Sequence, residues 1–324
     1  MTMTPMTQEP IIEPVQPEQQ ELPVVMPERS HDPLYVVKLR PGLTPEEVED
    51  ARHIMRWLRH ANGQSYGIAG IMLITGPPRA GKGLFGAWLS YKIKKYFAGI
   101  RVLTDERMGE LFGDYTFFND EILLNDIAIM NDIAGKDIVP EAKTAKQKEA
   151  MREMVTNWET EKGAAMFQRS VARMTEASKY LDKRRPGMMI LMLMNQMLKM
   201  FGHTETLYLL DTQFVDDLDI YRCLPLVTHH AKCNWCRGRE DTVQVSLHKV
   251  QWSRSKQQLV PAGSAIPIFV DGGKYRAELG GKRYYDLYQS KGAPRIKMGT
   301  TSEILNKEES EYKRQQREAG TGTT

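Results

Sequence analysis

The chain has 324 residues, of which 41% are hydrophobic and 26% charged. This composition suits one globular domain with an appendage and two tails. The formal net charge of +3 is too small to indicate nucleic-acid binding by itself. No apolar run approaches the roughly 18–20 residues of a membrane-spanning helix, and the N-terminus lacks a signal-peptide pattern. We therefore expect a cytoplasmic protein, and its three cysteines are too few to indicate a disulfide framework.

Composition divides the chain into three parts. Residues 1–32 are rich in Pro, Gln and Glu, which predicts a disordered leader. Residues 33–298 carry the patterned segments of a globular domain, with a β-rich extension at about residues 240–290. Residues 299–324 are polar and rich in Gly and Thr, which predicts a mobile tail.

The first predicted elements are a helix and, after it, a strand–helix–strand unit. Thr44, followed by Pro45 and two glutamates, is a good start for the first helix, which should run to about His60. Ile68–Thr75 is a continuous apolar run, as expected for a strand buried on both faces. A helical pattern over Leu84–Phe97 and a strand pattern over Ile100–Thr104 follow, which together predict a βαβ unit and a parallel sheet.

The second half of the chain adds further elements. We expect helices over Pro140–Lys162 and Met188–Met200, and a buried strand over Thr206–Asp211. Three later segments have strand patterns at hairpin spacing: Val243–Trp252, Ile266–Val270 and Arg283–Tyr288. The predicted fold is α/β, a P-loop NTPase core with a mainly parallel central sheet flanked by helices and an antiparallel C-terminal extension.

A glycine-rich segment stands directly between the first buried strand and its helix. Its glycines let successive N–H groups turn toward phosphate oxygens, the following helix adds its positive N-terminal end, and a lysine reaches the β- and γ-phosphates. These features predict ATP binding through Gly76, Pro77, Pro78, Arg79, Ala80, Gly81, Lys82, Gly83 and Leu84. The alternative is a Gly-rich turn that holds no nucleotide.

One position of this loop departs from the usual pattern. Gly83 stands where Ser or Thr ordinarily supplies a hydroxyl to Mg²⁺. The metal would then be held by water, by a carboxylate or by another hydroxyl.

Two later segments resemble the remaining motifs of the FtsK–HerA superfamily of P-loop DNA motors, especially its viral genome-packaging and zonula occludens toxin-like branch. Thr175-Glu176 resembles the strand-terminal Asp-Glu of that family, with Thr where Asp is usual. Asp211-Thr212-Gln213 and the acidic turn from Asp217 to Arg222 resemble its Thr-Gln element. Tyr285–Tyr288 resembles its closing strand, and the resemblance covers roughly residues 65–290.

The resemblance implies roles for these residues. Glu176 would activate the attacking water and Gln213 would sense the γ-phosphate, beside the phosphate-binding Lys82. The candidates for an arginine that reaches a neighbouring subunit's nucleotide are Arg184, Arg185 and Arg222. Such an arginine implies a homo-oligomeric ring, a hexamer in most of the family. Glu176 can also be an ordinary acid at a helix start, and Asp105-Glu106 is a rival acidic pair.

All three cysteines lie within fourteen residues. A Cys-x-x-Cys turn can present two thiolates to a tetrahedral zinc, and Cys223 together with His229 or His230 could complete four ligands. The candidate ligands of a structural Zn²⁺ are Cys223, His230, Cys233 and Cys236. The alternative, a buried cysteine beside an incidental pair, stays open.

DNA contact would use basic side chains that track phosphates without reading bases. The candidates are Arg237, Arg239, Lys249, Arg254, Lys256, Lys282 and Arg283, with Trp235 and Trp252 among them. Ordinary solvated charges explain each of these residues equally well.

The leading hypothesis is an ATP- and Mg²⁺-dependent translocase of double- or single-stranded DNA, a viral genome-packaging ATPase that resides in the host cytoplasm or with the virion and has capsid or portal-vertex partners. The viral assignment follows from the resemblance. One alternative is a zonula occludens toxin-like protein for phage assembly or DNA extrusion at a membrane. The other is a nucleotide-binding structural protein without hydrolysis, which Gly83 and Thr175 favour.

Overall fold

The computed structural model describes residues 37–61, 63, 67–131, 141–184, 188–219, 221–236, 239 and 241–287. The predicted leader, the predicted tail, Arg185 and Arg237 lie outside the described residues.

The described helices are α1 (Pro45–Trp57), α2 (Lys82–Tyr96), α3 (Asp120–Met130), α4 (Ala145–Trp158), α5 (Ala164–Phe167), α6 (Ser178–Leu181) and α7 (Met189–Lys199). The described strands are β1 (Gly70–Thr75), β2 (Arg101–Thr104), β3 (Thr116–Phe117), β4 (Ser170–Met174), β5 (Leu207–Asp211), β6 (His229–Trp235), β7 (Thr242–Ser253), β8 (Gln258–Pro261) and β9 (Ile266–Asp271). A π-helical turn at Glu159–Gly163 joins α4 to α5.

The strands form one sheet in the order β3-β2-β4-β5-β1-β6-β7-β8, and β9 also pairs with β7. The pairs from β3 to β6 are all parallel, whereas β7 pairs antiparallel with β6, β8 and β9. This arrangement confirms the predicted P-loop NTPase fold with an antiparallel C-terminal extension. Strand β5 lies between β1 and β4, so three consecutive strands of the sheet end at the same edge.

Two apolar cores cover the two faces of this sheet. Alternate residues of each strand enter alternate cores, as the two-residue period of a strand requires. Helices α1 and α2 pack on one face together with Ile74 and Leu209. Helices α3 to α7 pack on the other face together with Leu73 and Leu210. We call these the α2 face and the α7 face.

Local sequence signals explain where some elements begin. The Thr44 hydroxyl accepts a hydrogen bond from the Glu47 N–H, and the Glu47 carboxylate accepts one from the Thr44 N–H. This capping box starts α1 as predicted. The prediction of a strand at Arg283–Tyr288 was wrong, because Tyr284–Leu287 forms a 3₁₀ turn. Its aromatic side chains are buried against α2 rather than paired in the sheet.

Membrane crossing needs a long apolar helix. Among the residues that the structure describes, no helix combines the length and the apolar character for it.

Candidate functional site

The loop between β1 and α2 has the backbone that a phosphate-binding loop needs. Gly76 and Gly81 have φ angles of 154° and 80°, and Arg79 has 63°, in the region that glycine adopts most easily. A Cβ atom on Gly76 would lie 2.4 Å from the Cys233 carbonyl oxygen. A Cβ atom on Gly81 would overlap the Val243 side chain. Both positions therefore require glycine, and the loop is held in this shape by β6 and β7.

The Lys82 side chain folds back over the loop. Its Nζ donates to the carbonyl oxygens of Gly76 at 3.0 Å and Pro77 at 3.2 Å. The Ala80 N–H donates to the Pro77 carbonyl at 3.1 Å, which closes the turn. The N–H groups of the first turn of α2 have no acceptors within their own helix, so they point into the loop with the positive end of the helix dipole. The loop fits a phosphate chain and its negative charge.

The residues around Lys82 differ in how they could contact a nucleotide. Pro77, Pro78 and Arg79 are exposed at the tip of the loop. Gly83 lies within α2 and brings no oxygen to the site. Leu84 is fully buried in the apolar core, so its side chain is not available and only its backbone can contribute to binding.

The carboxyl end of β4 carries Thr175, which contacts an acid from the neighbouring strand. The Asp105 Oδ1 atom accepts hydrogen bonds from the Thr175 N–H at 2.8 Å and the Thr175 hydroxyl at 2.9 Å. Burial raises the pKa of Asp105, and these two hydrogen bonds oppose the shift. A carboxylate is therefore present beside Thr175, but it comes from the end of β2, 70 residues earlier. Sequence spacing gave no sign of this contact.

Glu106, which follows Asp105 in the turn after β2, forms an ion pair with a buried arginine. Arg173 is only 1% exposed, and its Nη1 lies 2.7 Å from a carboxylate oxygen of Glu106. The Arg173 side chain lies on the α2 face, where a Cβ atom on Gly86 would come within 2.8 Å of its Nε. The glycine at position 86 thus makes room for a charged group directly beneath α2.

Glu176 follows Thr175 at the same edge of the sheet. It has a φ of 55°, which is uncommon for a residue with a side chain. Its carboxylate is exposed and lies 2.8 Å from the Lys179 Nζ. This position, beyond the end of β4 and free of the core, is compatible with the predicted contact to an attacking water.

The end of β5 carries an acid and a glutamine with opposite environments. The Gln213 side chain is exposed. Asp211 is 7% exposed, and burial raises its pKa to about 7 against the opposing effects of Arg173 and Lys82. Because Asp211 pairs with Ile74 of β1 in the parallel register, its side chain lies on the α2 face, beneath the phosphate loop. Asp211 has no separate role among the sequence-based predictions.

The candidate arginines are held by acids of their own segments. The Arg184 guanidinium lies 2.8 Å from Asp182 and is exposed. The Arg222 Nε lies 3.8 Å from Asp219, whose other oxygen accepts hydrogen bonds from the backbone N–H groups of Tyr221 and Arg222. Both arginines are therefore placed on the surface, which suits contact with a second subunit.

The predicted zinc ligands do not come together. Cys223 is buried in the core of the α7 face and Cys233 in that of the α2 face. His230 and Cys233 are three residues apart in β6, so their side chains point to opposite faces of the sheet. The His230 ring instead lies 2.8 Å from the Thr75 hydroxyl. No group of three or more potential metal ligands occurs in the described part of the chain, which corrects the prediction of zinc bound by Cys223, His230, Cys233 and Cys236.

The burial of these thiols agrees with that correction. Burial raises the pKa of Cys223 to about 12 and also raises the pKa of Cys233. A zinc site needs thiolates, so these environments favour inert buried thiols.

The basic residues considered for DNA contact do not share one setting. Arg283 pairs with Asp286 at 3.1 Å, and burial lowers the pKa of Lys249. Arg254 and Lys256 are exposed in the turn after β7, and Trp235 is exposed at the end of β6.

Comparison with solved structures finds several similar chains. The N-terminal domain of zonular occludens toxin from Neisseria meningitidis is 16% identical with a TM-score of 0.39, over 68% of this chain and 99% of that one. The genome packaging NTPase B204 from Sulfolobus turreted icosahedral virus 2, in complex with AMPPCP, is 10% identical with a TM-score of 0.35, over 59% and 96%. The flagellar accessory protein FlaH from Methanocaldococcus jannaschii is 9% identical with a TM-score of 0.30, over 66% and 90%.

No family model and no curated protein matches the chain. The fold is established by the strand order and the loop geometry described above.

Proposed function

We propose that this chain is a P-loop ATPase that couples ATP hydrolysis to the translocation of DNA, as a viral genome-packaging motor. The observation that carries the ATPase proposal is the strand order β4-β5-β1. This order brings the phosphate loop after β1, Asp211 to Gln213 after β5, and Glu176 after β4 to one edge of the sheet. Ligands of open α/β sheets bind at the carboxyl ends of the strands.

Binding of the triphosphate would use the loop backbone and Lys82. On nucleotide binding, the Lys82 amine exchanges its two carbonyl acceptors, Gly76 and Pro77, for phosphate oxygens, which are stronger acceptors for an ammonium group. A bound Mg²⁺ would supply charge neutralisation for the phosphates.

Hydrolysis would use the two exposed side chains at the strand ends. Glu176 accepts a hydrogen bond from the attacking water and orients it, and Gln213 contacts the γ-phosphate. For Glu176 to do so, its carboxylate must leave Lys179, and an exposed ion pair of this kind is worth only about 0–1 kcal/mol. Breaking this pair is therefore a small cost beside the stabilisation of the transition state.

DNA enters the proposal through the resemblance of the motifs to DNA motors. Arg184 and Arg222 are exposed in the segments that follow β4 and β5, and we propose that they reach the nucleotide of a neighbouring subunit in a homo-oligomeric ring. A ring offers DNA a lining of basic side chains that bind phosphates without base recognition. Capsid or portal-vertex proteins are the proposed anchor for such a ring.

The test is ATP hydrolysis by the full chain with Mg²⁺, with and without DNA. We expect turnover that DNA stimulates, and losses of about 10²-fold or more in Lys82→Ala and Glu176→Gln. Lys148→Ala and Glu153→Gln, which change exposed residues of α4, are the matched controls and should keep wild-type rates. Turnover that persists in Glu176→Gln would remove Glu176 from the mechanism, and turnover that DNA leaves unchanged would remove the translocase.

A second candidate function is nucleotide binding without hydrolysis. It is favoured by two positions that bring no charged metal ligand, Gly83 in the loop and Thr175 at the end of β4. This function predicts that ATP binds with loss of affinity in Lys82→Ala, but that no phosphate is released under any condition, with or without DNA.

A further inference from the structure

The edge of the sheet beside the phosphate loop lacks the loop hydroxyl and the strand-end carboxylate that usually bind the metal of a nucleotide. Gly83 has no hydroxyl, and Thr175 stands where an aspartate is usual. Among the buried or half-buried carboxylates at this edge, three lie directly at the ends of β2 and β5: Asp105, Glu106 and Asp211. They differ in what already holds them and in how far their strands lie from β1.

Asp105 and Glu106 already have polar partners, and both lie far from the phosphate loop. Asp105 accepts two hydrogen bonds from Thr175, and Glu106 forms a 2.7 Å ion pair with the buried Arg173. Both follow β2, which is three strands away from β1 in the sheet order. Neighbouring strands lie about 4.8 Å apart, so the end of β2 lies on the order of 14 Å from the end of β1.

Asp211 lies close to the phosphate loop and has no such polar partner among the described residues. It ends β5, the strand that pairs directly with β1, so only one strand spacing of about 4.8 Å separates it from the start of the loop. Its side chain shares the α2 face with Ile74 and is 7% exposed. Among the described residues, its carboxylate makes no hydrogen bond and no ion pair within 4.0 Å.

A buried carboxylate without a direct partner is costly. A cation that binds to the carboxylate would offset that cost. The charged groups that act on Asp211 include Lys82 of the loop and Arg173 of β4, with Glu106 and Asp105 opposing them. The carboxylate therefore lies within electrostatic range of Lys82, which the phosphates would engage.

We propose that the Asp211 carboxylate binds the divalent cation of the bound nucleotide, directly or through one water, and thereby replaces the hydroxyl that is missing at Gly83 and the carboxylate that is missing at Thr175. This inference rests on the proposed nucleotide binding and specifies which residue of the site binds the metal. Carboxylate oxygen is a preferred ligand of Mg²⁺, which keeps several of its waters and takes one or two protein carboxylates.

A competing role for Asp211 is to balance the charge of Lys82 with no metal contact. The two roles predict different responses to metal. If Asp211 only balances charge, its neutralisation should change nucleotide affinity by the same factor with and without Mg²⁺. If it binds the cation, its neutralisation should remove the gain in affinity that Mg²⁺ gives.

The experiment measures the affinity of the full chain for a fluorescent ADP in excess Mg²⁺ and in EDTA. We expect Mg²⁺ to strengthen binding to the wild type and Asp211→Asn to reduce that gain by about tenfold or more, with affinity in EDTA unchanged or higher. Asp216→Asn, an exposed acid of the turn that follows β5, is the matched control and should keep the gain. Electron paramagnetic resonance of Mn²⁺ in the presence of ADP should show bound Mn²⁺ in the wild type and its loss in Asp211→Asn.

A compensating change sharpens the test. Gly83 has no positive φ and lies in the first turn of α2, so serine fits its backbone. Gly83→Ser in the Asp211→Asn background should restore part of the Mg²⁺ gain, because it returns a hydroxyl to the loop. Asp211→Ser serves as the neutral variant if Asp211→Asn does not fold, and the same loss is expected.

The outcomes separate this inference from the proposed function. If Mg²⁺ still strengthens ADP binding to Asp211→Asn, the assignment of Asp211 is overturned while nucleotide binding stands. The same conclusion follows if the effect of Mg²⁺ is lost in Asp105→Asn instead. Absence of nucleotide binding by the wild type in both buffers overturns the proposed function and this inference with it.

Discussion

The two faces of the central sheet bury different kinds of side chain. The α7 face is mainly apolar, and α7 contributes Leu193, Met194 and Met197, all fully buried, beside one buried amide, Asn195. The α2 face is apolar at its centre, but at the carboxyl ends of the strands it carries Arg173, Asp211 and the lysine of the loop. Buried charges add little net stability compared with apolar packing. The comparison indicates that the charged groups are concentrated at the edge of the α2 face, beside the proposed nucleotide site, whereas the α7 face contributes mainly apolar packing.

The largest expected effect comes from the buried ion pair of the α2 face. Arg173→Met removes the cation and leaves Glu106 half-buried without it, which should lower the free energy of unfolding by about 3–5 kcal/mol. Urea denaturation measures the change. The double variant Arg173→Met/Glu106→Gln should recover part of the loss, because no uncompensated charge remains. Wild-type stability in Arg173→Met would show that the pair contributes nothing.

Substitutions on the α7 face should lower the stability of the protein without changing its nucleotide affinity. Leu193→Ala opens a cavity in a fully buried site and should cost about 2–4 kcal/mol, while nucleotide affinity of the folded protein stays unchanged. Ile129→Ala, at a residue of α3 that is 64% exposed, is the control and should stay within about 0.5 kcal/mol of wild type. A fall in nucleotide affinity in Leu193→Ala would contradict the division between the two faces.

The sequence could predict the elements that depend on local signals, but not the contacts between residues that are distant in the chain. The order of β1, loop and α2 follows from local signals, since a buried apolar run, glycines and a helical pattern are contiguous in the chain. The burial of Arg173 does not follow, because it depends on Gly86 of α2 and Glu106 of the turn after β2. The contact of Asp105 with Thr175 joins residues 70 positions apart, and only the strand order brings them together.

The wrong predictions have a related cause. The His-x-x-Cys spacing at His230 suits a turn, but in strand β6 it sends the two side chains to opposite faces. The aromatic segment Arg283–Tyr288 is typical of a strand, but Tyr284–Leu287 forms a 3₁₀ turn in which Tyr284 packs against Trp88 of α2. The roles of Glu176, Gln213 and the surface arginines stay predictions that the hydrolysis experiment tests.

A smaller effect should come from the glycine that makes room for Arg173. Gly86→Ala in a helix interior would ordinarily stabilise by up to about 1 kcal/mol. Here the added Cβ would lie 2.8 Å from the Arg173 Nε, and we expect a loss of about 1–3 kcal/mol instead. Gly202→Ala, whose Cβ would meet nothing within 4 Å, is the control.

A double-mutant cycle identifies the cause of that loss. In Gly86→Ala/Arg173→Met the flexible methionine can yield to the new methyl group, so the effect of Gly86→Ala should shrink or change sign. An equal loss in both backgrounds would show that Arg173 is not the residue that requires glycine at position 86.

The smallest expected effect concerns the opposite edge of the α2 face, where buried histidines stay neutral. Burial lowers the pKa of His229 to about 4, and the charges of His60 and Lys249 act in the same direction. The ring lies 2.8 Å from the Thr228 hydroxyl and 3.2 Å from the Arg59 carbonyl oxygen. Between its ordinary pKa of about 6.5 and pH 4, the unfolded chain therefore binds a proton that the folded chain does not, so stability falls as the pH is lowered through this window.

Between pH 7 and pH 5 the contribution of His229 to this loss should be about 1–2 kcal/mol. Urea denaturation at both pH values measures it, and His229→Gln should reduce the pH dependence by that amount, even if its stability at pH 7 is lower. His203→Gln, at an exposed histidine, should leave the pH dependence unchanged. If His229→Gln loses as much stability between pH 7 and pH 5 as the wild type, protonation of His229 is not the cause of the loss. Other titrating groups would then have to explain it.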